Sequence, residues 1–413
     1  MNSKPKVRVL MIAYACDPDG AGEHWLGWGW AREMSRQHQV VLITTSKSLA
    51  NLQEEAPKHG IEFHCIDVPE WLRTFSESIV GGGLWLRKMW WQRQVFWFAK
   101  RLHKKNAFDV VHQTTFHTFR IPFRSAKLGI PSVWGPIAGG ETVPAGFDAA
   151  LGPVTAKSEK NRGLLNHLCL FVPSIESSLR CTDRILVSNR TTLNFLPKRH
   201  HHKCLVMPAN AVREEDLNHL PEIQPRDAQP YQMLFAGNCF PTRAMPLVFE
   251  AIAKDFPLDW KLRIVGQGIA LPHWKKMVKQ LGIEDRVEFT GAVPRDVLMN
   301  YYADASILVF PALRDSGGSA LLEAMLLGMP ILTFDRGGPG EMVDSSSAIV
   351  VRPESPEQVV SEIRSKLLAF FAHPETAVEM CRSARMRALD GFQWHSKANV
   401  VHEIYQDLVD QKK

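Results

Sequence analysis

The chain has 413 residues, 45% of them hydrophobic and 22% charged, with a formal net charge of +6. That length exceeds what one hydrophobic core usually spans, so two domains are expected. The balanced composition excludes a fibre or a disordered chain, and so mild a positive charge gives no ground for nucleic-acid binding.

The start, MNSKPKVRVLMIAYAC, carries a charge at Arg8 inside its apolar run and lacks a small-residue cleavage site, so it does not read as a signal peptide. VRVLMIAY is the first strand candidate. HWLGWGWAREMSRQ then has a helical pattern, and QVVLITT, IEFHCID, FDVVHQ, IPSVWGP, RILVS and CLVMP complete the strand candidates of the first half. These runs are short, dense in Val, Ile and Leu, and bounded by Gly, Pro or Asp, as strands buried on both faces are. Residues 81–105, GGGLWLRKMWWQRQVFWFAKRLHKK, mix Trp85, Trp90, Trp91 and Trp97 with Lys and Arg. That composition suits a helix lying on an anionic lipid surface. Its apolar positions, however, spread nearly all round the helix, which favours a long first-domain helix with a buried face. RHHHK, ahead of CLVMP, has no second ligand cluster at zinc spacing and reads as a solvated loop. The seven cysteines are scattered without paired spacing, as reduced cytoplasmic thiols would be. No apolar run reaches the ~18 residues of a membrane span.

Residues 211–230, AVREEDLNHLPEIQPRDAQP, are polar and carry Pro221, Pro225 and Pro230. They read as a linker between a first domain, 1–210, and a second, 231–392, with 393–413 as a C-terminal helix that crosses back to the first. The second half continues with YQMLFAG, KLRIVG, VEFTG, SILVFP, PILTF and AIVV as strands. LPHWKKMVKQLG and ALLEAMLLG lie among them as helices. The alternation predicts an α/β chain of two Rossmann-like, doubly wound parallel-sheet domains. Ligands in such sheets bind beyond the carboxyl ends of the strands, so two facing domains would share one interdomain cleft.

The most informative stretch is RDSGGSALLEAMLLGMP, 314–330. A strand ends at Pro311, and a helix runs from Ser319 toward Gly328 and Pro330. Gly317 and Gly318 then stand at the helix N-terminus, where open amides and the helix dipole favour a phosphate. Glu323, about one turn into the helix, is placed to accept hydrogen bonds from the vicinal hydroxyls of a ribose. Asp315, before the turn, is placed to meet a second polyol. The competing structural account makes Asp315 or Ser316 the helix cap and Glu323 a solvated helix residue.

RDSGGSALLEAMLLGMPILTFDRGGPGEMV resembles the donor-site signature of the retaining glycosyltransferases of family four, which have the GT-B fold. That pattern is Glu, seven residues, Glu, then a Gly-Gly-x-x-Glu turn. Asp315 stands at the first acid, Glu323 at the second, and Gly337, Gly338 and Glu341 at the turn. The resemblance implies that the first acid contacts the donor sugar and the second the nucleotide ribose. DPDGAGEHWLGWGWAREM is similar to the family's Gly-rich loop after the first strand, so Gly20 and Gly22 are expected to close on the donor. WGPIAGGE resembles a motif of a bacterial branch that makes surface polysaccharides. It places Gly139, Gly140 and Glu141 near the acceptor, with a plain turn as the alternative.

Three departures stand out. FAGNCFPTRAMPL puts Asn238, after Gly237, where the family has Arg, with Arg243 at its Lys and Ala244 at its Gly. The first acid is Asp rather than Glu. In DVVHQTTFHTFR, Thr114 replaces a His that many relatives carry, leaving His112 and His117 as candidates.

The resemblance implies transfer of a sugar, with retained anomeric configuration, from a nucleotide diphosphate to an acceptor hydroxyl, in bacterial cell-surface or exopolysaccharide synthesis. Arg243 and the Gly317–Gly318 turn would stabilise charge on the departing diphosphate. Asp315, Arg243 and His112 are the catalytic candidates. Gly20, Gly22, Gly139, Gly140, Glu141, Gly237, Asn238, Arg243, Gly266, Asp315, Ser316, Gly317, Gly318, Ser319 and Glu323 are the substrate-binding ones. No protein nucleophile is assigned, since in this family the leaving phosphate is thought to take the acceptor's proton. No cofactor or metal is expected; Asp17-Pro18-Asp19 reads as a loop. The expected partners are a nucleotide sugar and a saccharide or lipid-linked saccharide acceptor. The expected place is the cytoplasm, at the inner membrane face, with peripheral contact through 81–105. The alternative is a degenerate GT-B protein that binds nucleotide sugar or a partner without catalysis. GAGEHW and GQGIAL both fail the dinucleotide fingerprint at its third glycine, and no P-loop is present.

Overall fold

The computed structural model describes residues 6–77, 83–218, 220–224, 226, 229–253 and 255–412. Every short β-rich run named above is a strand. Seven are β1 (Arg8–Ile12), β2 (Gln39–Thr44), β3 (Glu62–Cys65), β4 (Val110–Gln113), β5 (Ser132–Ile137), β6 (Arg184–Val187) and β7 (Cys204–Val206). They form one sheet in the order β3-β2-β1-β4-β5-β6-β7. The other six are β8 (Tyr231–Ala236), β9 (Trp260–Val265), β10 (Val287–Gly291), β11 (Ile307–Phe310), β12 (Ile331–Phe334) and β13 (Ile349–Val351). Their order is β10-β9-β8-β11-β12-β13. All these pairings are parallel.

Parallel neighbours need crossovers, and helices packed on both faces explain why central strands such as Ile307–Phe310 are apolar on both faces. In β8, Met233 and Phe235 join one core with Ile264, Val309 and Leu332. Leu234 and Ala236 join another with Val265, Leu308 and Ile331. The period-2 alternation of a strand thus serves two cores rather than one core and solvent.

The chain divides into two compact units, one of residues 1–140, 165–209 and 394–413, the other of 141–164 and 210–393. This differs from the sequence reading in two places. Residues 141–164 belong to the second unit, because Phe147, Ala150, Leu151 and Ala156 enter its core. Arg314 also grips Glu159 with two hydrogen bonds, Nε to Oε2 at 2.8 Å and Nη2 to Oε1 at 3.0 Å. The stretch read as a linker, 211–230, is also part of that unit. Val212 is buried in its core and donates its N–H to the Phe392 carbonyl at 2.8 Å. Polar side chains there serve as ion-pair and hydrogen-bond partners, which composition alone does not distinguish from solvation. His219, Pro225, Asp227 and Ala228 of that stretch lie outside the described residues, as do Gly81 and Gly82 of the tryptophan-rich stretch.

In the first unit, the helix Gly83–Lys105 buries Trp91, Gln92, Val95 and Ala99. Trp91 donates Nε1–H to the Ile66 carbonyl at 2.7 Å. Leu84, Trp85 and Trp97 stay exposed. The helix Trp394–Asp410 packs on the helix Glu23–Ser35. Two glycines of the first helix permit close contact. A Cβ at Gly27 would lie 2.0 Å from the Ala15 carbonyl oxygen, and one at Gly29 would lie 2.1 Å from Cζ2 of Trp394.

The indole of Trp394 is rigid and buried, so Gly29→Val overpacks this contact. The expected loss is about 1–3 kcal/mol of unfolding free energy, read from the urea midpoint. An unchanged midpoint would show that Trp394 has room to turn aside.

Candidate functional site

In the second unit, the carboxyl end of β11 leads into the loop 311–318 and then the helix Ser319–Leu326. A second loop presses on the first. Gly338 donates its N–H to the Asp315 carbonyl at 3.0 Å. A Cβ at Gly337 would stand 2.4 Å from the Asp315 oxygen, and one at Gly338 would stand 2.4 Å from the Ser316 oxygen. The Gly-Gly pair is therefore required by two backbones in contact.

This contact sets the direction of Asp315. Its Oδ1 accepts from the Gly317 N–H at 3.1 Å, and its Oδ2 from Nη1 of Arg243 at 2.6 Å. The Arg243 guanidinium also lies over the Phe310 ring, 4.8 Å from its centroid. Arg243 Nε is enclosed and has no hydrogen-bond partner among the described residues. The residue after it, Ala244, is left-handed, with φ 45° and ψ 32°. Glycine accepts that conformation freely, whereas a Cβ there costs about 1–2 kcal/mol. Beside this turn, Gly237 and the exposed Asn238 follow β8. Gly266 follows β9 at φ 138°, and a Cβ on it would lie 1.9 Å from the Gly237 oxygen.

Glu323 lies in a network the sequence reading missed. Arg295 donates Nη1–H to its Oε1 at 2.7 Å, and Tyr302 donates its hydroxyl to Oε2 at 3.0 Å. Arg295 also grips both oxygens of Asp216, at 2.8 and 2.6 Å. Burial opposes the charge on Arg295, but Glu323 and Asp216 outweigh it and hold its pKa above the usual range. Burial, followed by the Glu323 charge, pushes the Tyr302 hydroxyl well up. Arg295 and Tyr302 share a helix seven residues apart, so the 3.6-residue period was a usable signal for this pair. Nothing local marked Asp216.

The amides at the helix start are not bare, which corrects the expectation for the Gly317–Gly318 turn. With its amide oxygen turned toward the helix, Asn210 accepts from the N–H groups of Gly318 at 2.9 Å and Ser319 at 3.2 Å. Helix-terminal donors in a partly enclosed place find a protein acceptor when one is in reach. Ser316 and Gly317 remain partly exposed, and Ser319 is exposed.

In the first unit, the Gly-rich loop after β1 is built on Asp17. Its carboxylate accepts from Ser48 Oγ at 2.7 Å, Asn51 Nδ2 at 2.9 Å and the Asp19 N–H at 3.1 Å. Gly20 packs where a Cβ would lie 2.7 Å from that of His24, and Gly22 starts the next helix at φ 58°. Gly139 gives its carbonyl to Asn166 Nδ2 at 2.8 Å, and Gly140 donates its N–H to Thr192 Oγ1 at 3.3 Å. Both therefore have firm structural duties. Glu141, in the second unit, is buried.

His112 requires a correction. It is fully buried in β4, with Nδ1 2.5 Å from the Tyr405 hydroxyl and Nε2 2.9 Å from the Gly135 carbonyl oxygen. Both ring nitrogens are engaged, so none faces a substrate, and His112 acts as a core tie. His117 differs: its Nε2 is enclosed without a hydrogen-bond partner among the described residues. Burial lowers its pKa despite Glu23 nearby.

Comparison with known proteins bears on the second unit most directly. Residues 218–376 match the family model described as Glycosyl transferases group 1. The D-inositol 3-phosphate glycosyltransferase of Streptomyces scabiei is 30% identical over 185 residues, covering 42% of this chain and 40% of that relative. The amylovoran biosynthesis glycosyltransferase AmsK of Erwinia amylovora is 25% identical over 222 residues, covering 50% and 54%. The chain spans about two-fifths of the length of the first curated relatives it matches, 40% in the Streptomyces scabiei case. The structure of Anabaena Alr3699/HepE in complex with UDP and glucose superposes with a TM-score of 0.60 at 13% identity, over 96% of this chain and 98% of that one. Within the second unit, residues 218–376 are thus similar to the Glycosyl transferases group 1 model, and the two parallel sheets have the fold of GT-B glycosyltransferases.

The His112 tie has a pH signature. Burial holds its pKa at about 4, against an ordinary 6.5. The unfolded chain therefore binds the extra proton through that window, and stability is lost as pH falls from the ordinary value toward the folded one. This ring's share is up to about 3 kcal/mol. Melting temperatures at about pH 7 and about pH 5 should diverge more for the native chain than for His112→Asn; equal divergence would remove this histidine as the cause.

Proposed function

We propose that the protein is a retaining glycosyltransferase that moves a sugar from a nucleotide diphosphate to an acceptor hydroxyl in bacterial cell-surface or exopolysaccharide synthesis. The observation that carries this is the Arg243–Asp315 pair at the carboxyl end of β11, held by the Gly337–Gly338 contact. A guanidinium with one edge on a carboxylate and one face on an aromatic ring keeps further N–H groups in a fixed direction. Asp315 takes a donor-sugar hydroxyl, Arg243 the diphosphate, and Glu323 the ribose. Asn210 is the stand-in that the diphosphate displaces from the Gly318 and Ser319 amides. As the glycosidic bond opens, negative charge grows on the departing phosphate, where Arg243 lowers the barrier. That phosphate takes the acceptor's proton, so no protein base is needed. Charge neutralisation falls to Arg243 rather than a metal; loss of activity with a chelator and rescue by manganese would overturn that point.

The AmsK likeness supports the polysaccharide setting, and the fold shared with a protein solved with UDP supports a nucleotide donor. No described helix is long and apolar enough to cross a membrane. The exposed Trp97 of the helix Gly83–Lys105, with exposed Arg93, Lys100, Arg101 and Lys104 around it, supports peripheral contact at the inner membrane face. The alternative, a binding protein without turnover, draws on the exposed Asn238 where the family pattern has Arg and on an Asp315 already neutralised.

A melting-temperature screen against nucleotide diphosphate sugars should find one that stabilises the chain by mass action. With that donor, Arg243→Gln should lower turnover about 100-fold or more, a larger effect than its loss of donor affinity. Glu323→Gln should instead weaken donor binding. No stabilising donor would sink the transferase proposal. A stabilising donor with no nucleotide diphosphate release would favour the binding protein.

A further inference from the structure

The first unit holds a cavity of about 490 Å³ that none of the roles above uses. It lies outside the carboxyl ends of β1, β2 and β3, where a parallel sheet offers a ligand crevice. Lys47 follows β2, Asp67 follows β3, and Arg73 and Glu77 come from the helix Glu70–Glu77. Arg87 comes from the helix Gly83–Lys105 and His24 from Glu23–Ser35.

The charges in this cavity are unevenly matched. Asp67 is occupied locally, its Oδ1 accepting from the Ser46 N–H at 2.9 Å. Glu77 is largely exposed, and its oxygen lies 3.7 Å from Nη1 of Arg87, too far for a hydrogen bond. Arg87 Nε is enclosed and has no hydrogen-bond partner among the described residues, and neither has His24 Nδ1. The side chains of Lys47 and Arg73 enter no hydrogen bond or ion pair among the described residues. Arg73 and Arg87 line the same cavity as Tyr14. Three cations thus share one space with two carboxylates, and Lys47 and Arg73 are left without an ion-pair partner among the described residues. A dianionic phosphate, offering several acceptor oxygens to Arg and Lys donors, is the complementary ligand.

We propose that this cavity is a phosphate-binding subsite that takes the phosphate or diphosphate group of an anionic acceptor. Its place on the acceptor side rests on the transferase proposal; the binding of phosphate does not. The phosphate has two sources, a soluble sugar phosphate or the headgroup of a lipid-linked saccharide. The second is a real option because the helices that supply Arg73 and Arg87 also carry the exposed apolar side chains of Trp71, Leu84 and Trp85.

The test uses the full chain and the double variant K47Q/R73Q, whose changes fall on exposed side chains. Glucose 1-phosphate binding is measured by calorimetry, and capture is measured by flotation on phosphatidylcholine vesicles with and without phosphatidic acid. Loss of two charge-assisted contacts should weaken the effective probe about tenfold or more. The melting temperature and its rise with the nucleotide-sugar donor should stay as in the native chain. Glucose 1-phosphate binding that the variant loses identifies a soluble source. Phosphatidic acid-dependent flotation that the variant loses, without glucose 1-phosphate binding, identifies a lipid source. Failure of the native chain to engage either probe, or equal engagement by the variant, overturns the subsite. Variant-sensitive phosphate binding with no nucleotide-sugar donor found would leave the subsite standing and remove the transferase proposal.

Discussion

Two stretches of backbone in van der Waals contact set the geometry of the second unit's site. Gly337 and Gly338 lie so close to the carbonyls of Asp315 and Ser316 that any side chain there would force the loops apart. With the loops joined, Asp315 leaves the end of β11 toward Arg243. A carboxylate one methylene shorter than a glutamate's still makes a 2.6 Å contact. Phe310 completes the arrangement from below the guanidinium. The left-handed Ala244 next to Arg243 is the local strain this placement tolerates.

Charge in this unit is arranged in alternation. Asp216, Arg295, Glu323 and Tyr302 form a chain of donors and acceptors in which neither carboxylate faces open space unpaired. Asp315 and Arg243 form a shorter version of the same pattern. Two bare carboxylates would repel any anion at close range. Arg243 and Arg295 pair with Asp315 and Glu323, and each guanidinium keeps its donors in a planar fork. The cavity of the first unit has a different character, with three cations against two carboxylates.

The strands were legible because buried parallel strands write themselves as short Val, Ile and Leu runs, and each such run became one. The acidic pair and the glycine turn were legible as a spacing. What the spacing meant was only partly so. Glu323 reads as an open acceptor until Asp216 and Arg295, 79 residues apart, are brought to it by the fold. Asn210 caps a helix more than a hundred positions away, which no local pattern announces. His112 has the residue type of a catalyst, yet its neighbours on β5 and the last helix make it a core tie. The membership of 141–164 and 211–230 was hidden for the same reason: polar and proline-rich segments look alike whether solvated or docked.

The first unit is assembled from pieces at both extremes of the chain. Trp394 fills the notch left by Gly29, and Tyr405 closes on His112, so the N-terminal sheet acquires its last wall from residues made after the entire second unit. During synthesis, the second unit can complete its core as soon as it clears the ribosome, whereas the first must wait with Trp30 and the β4 face uncovered. The order of birth along the chain is thus the reverse of the order of completion, since the strands of the first unit emerge before the second unit and the helix that closes it, Trp394–Asp410, emerges after.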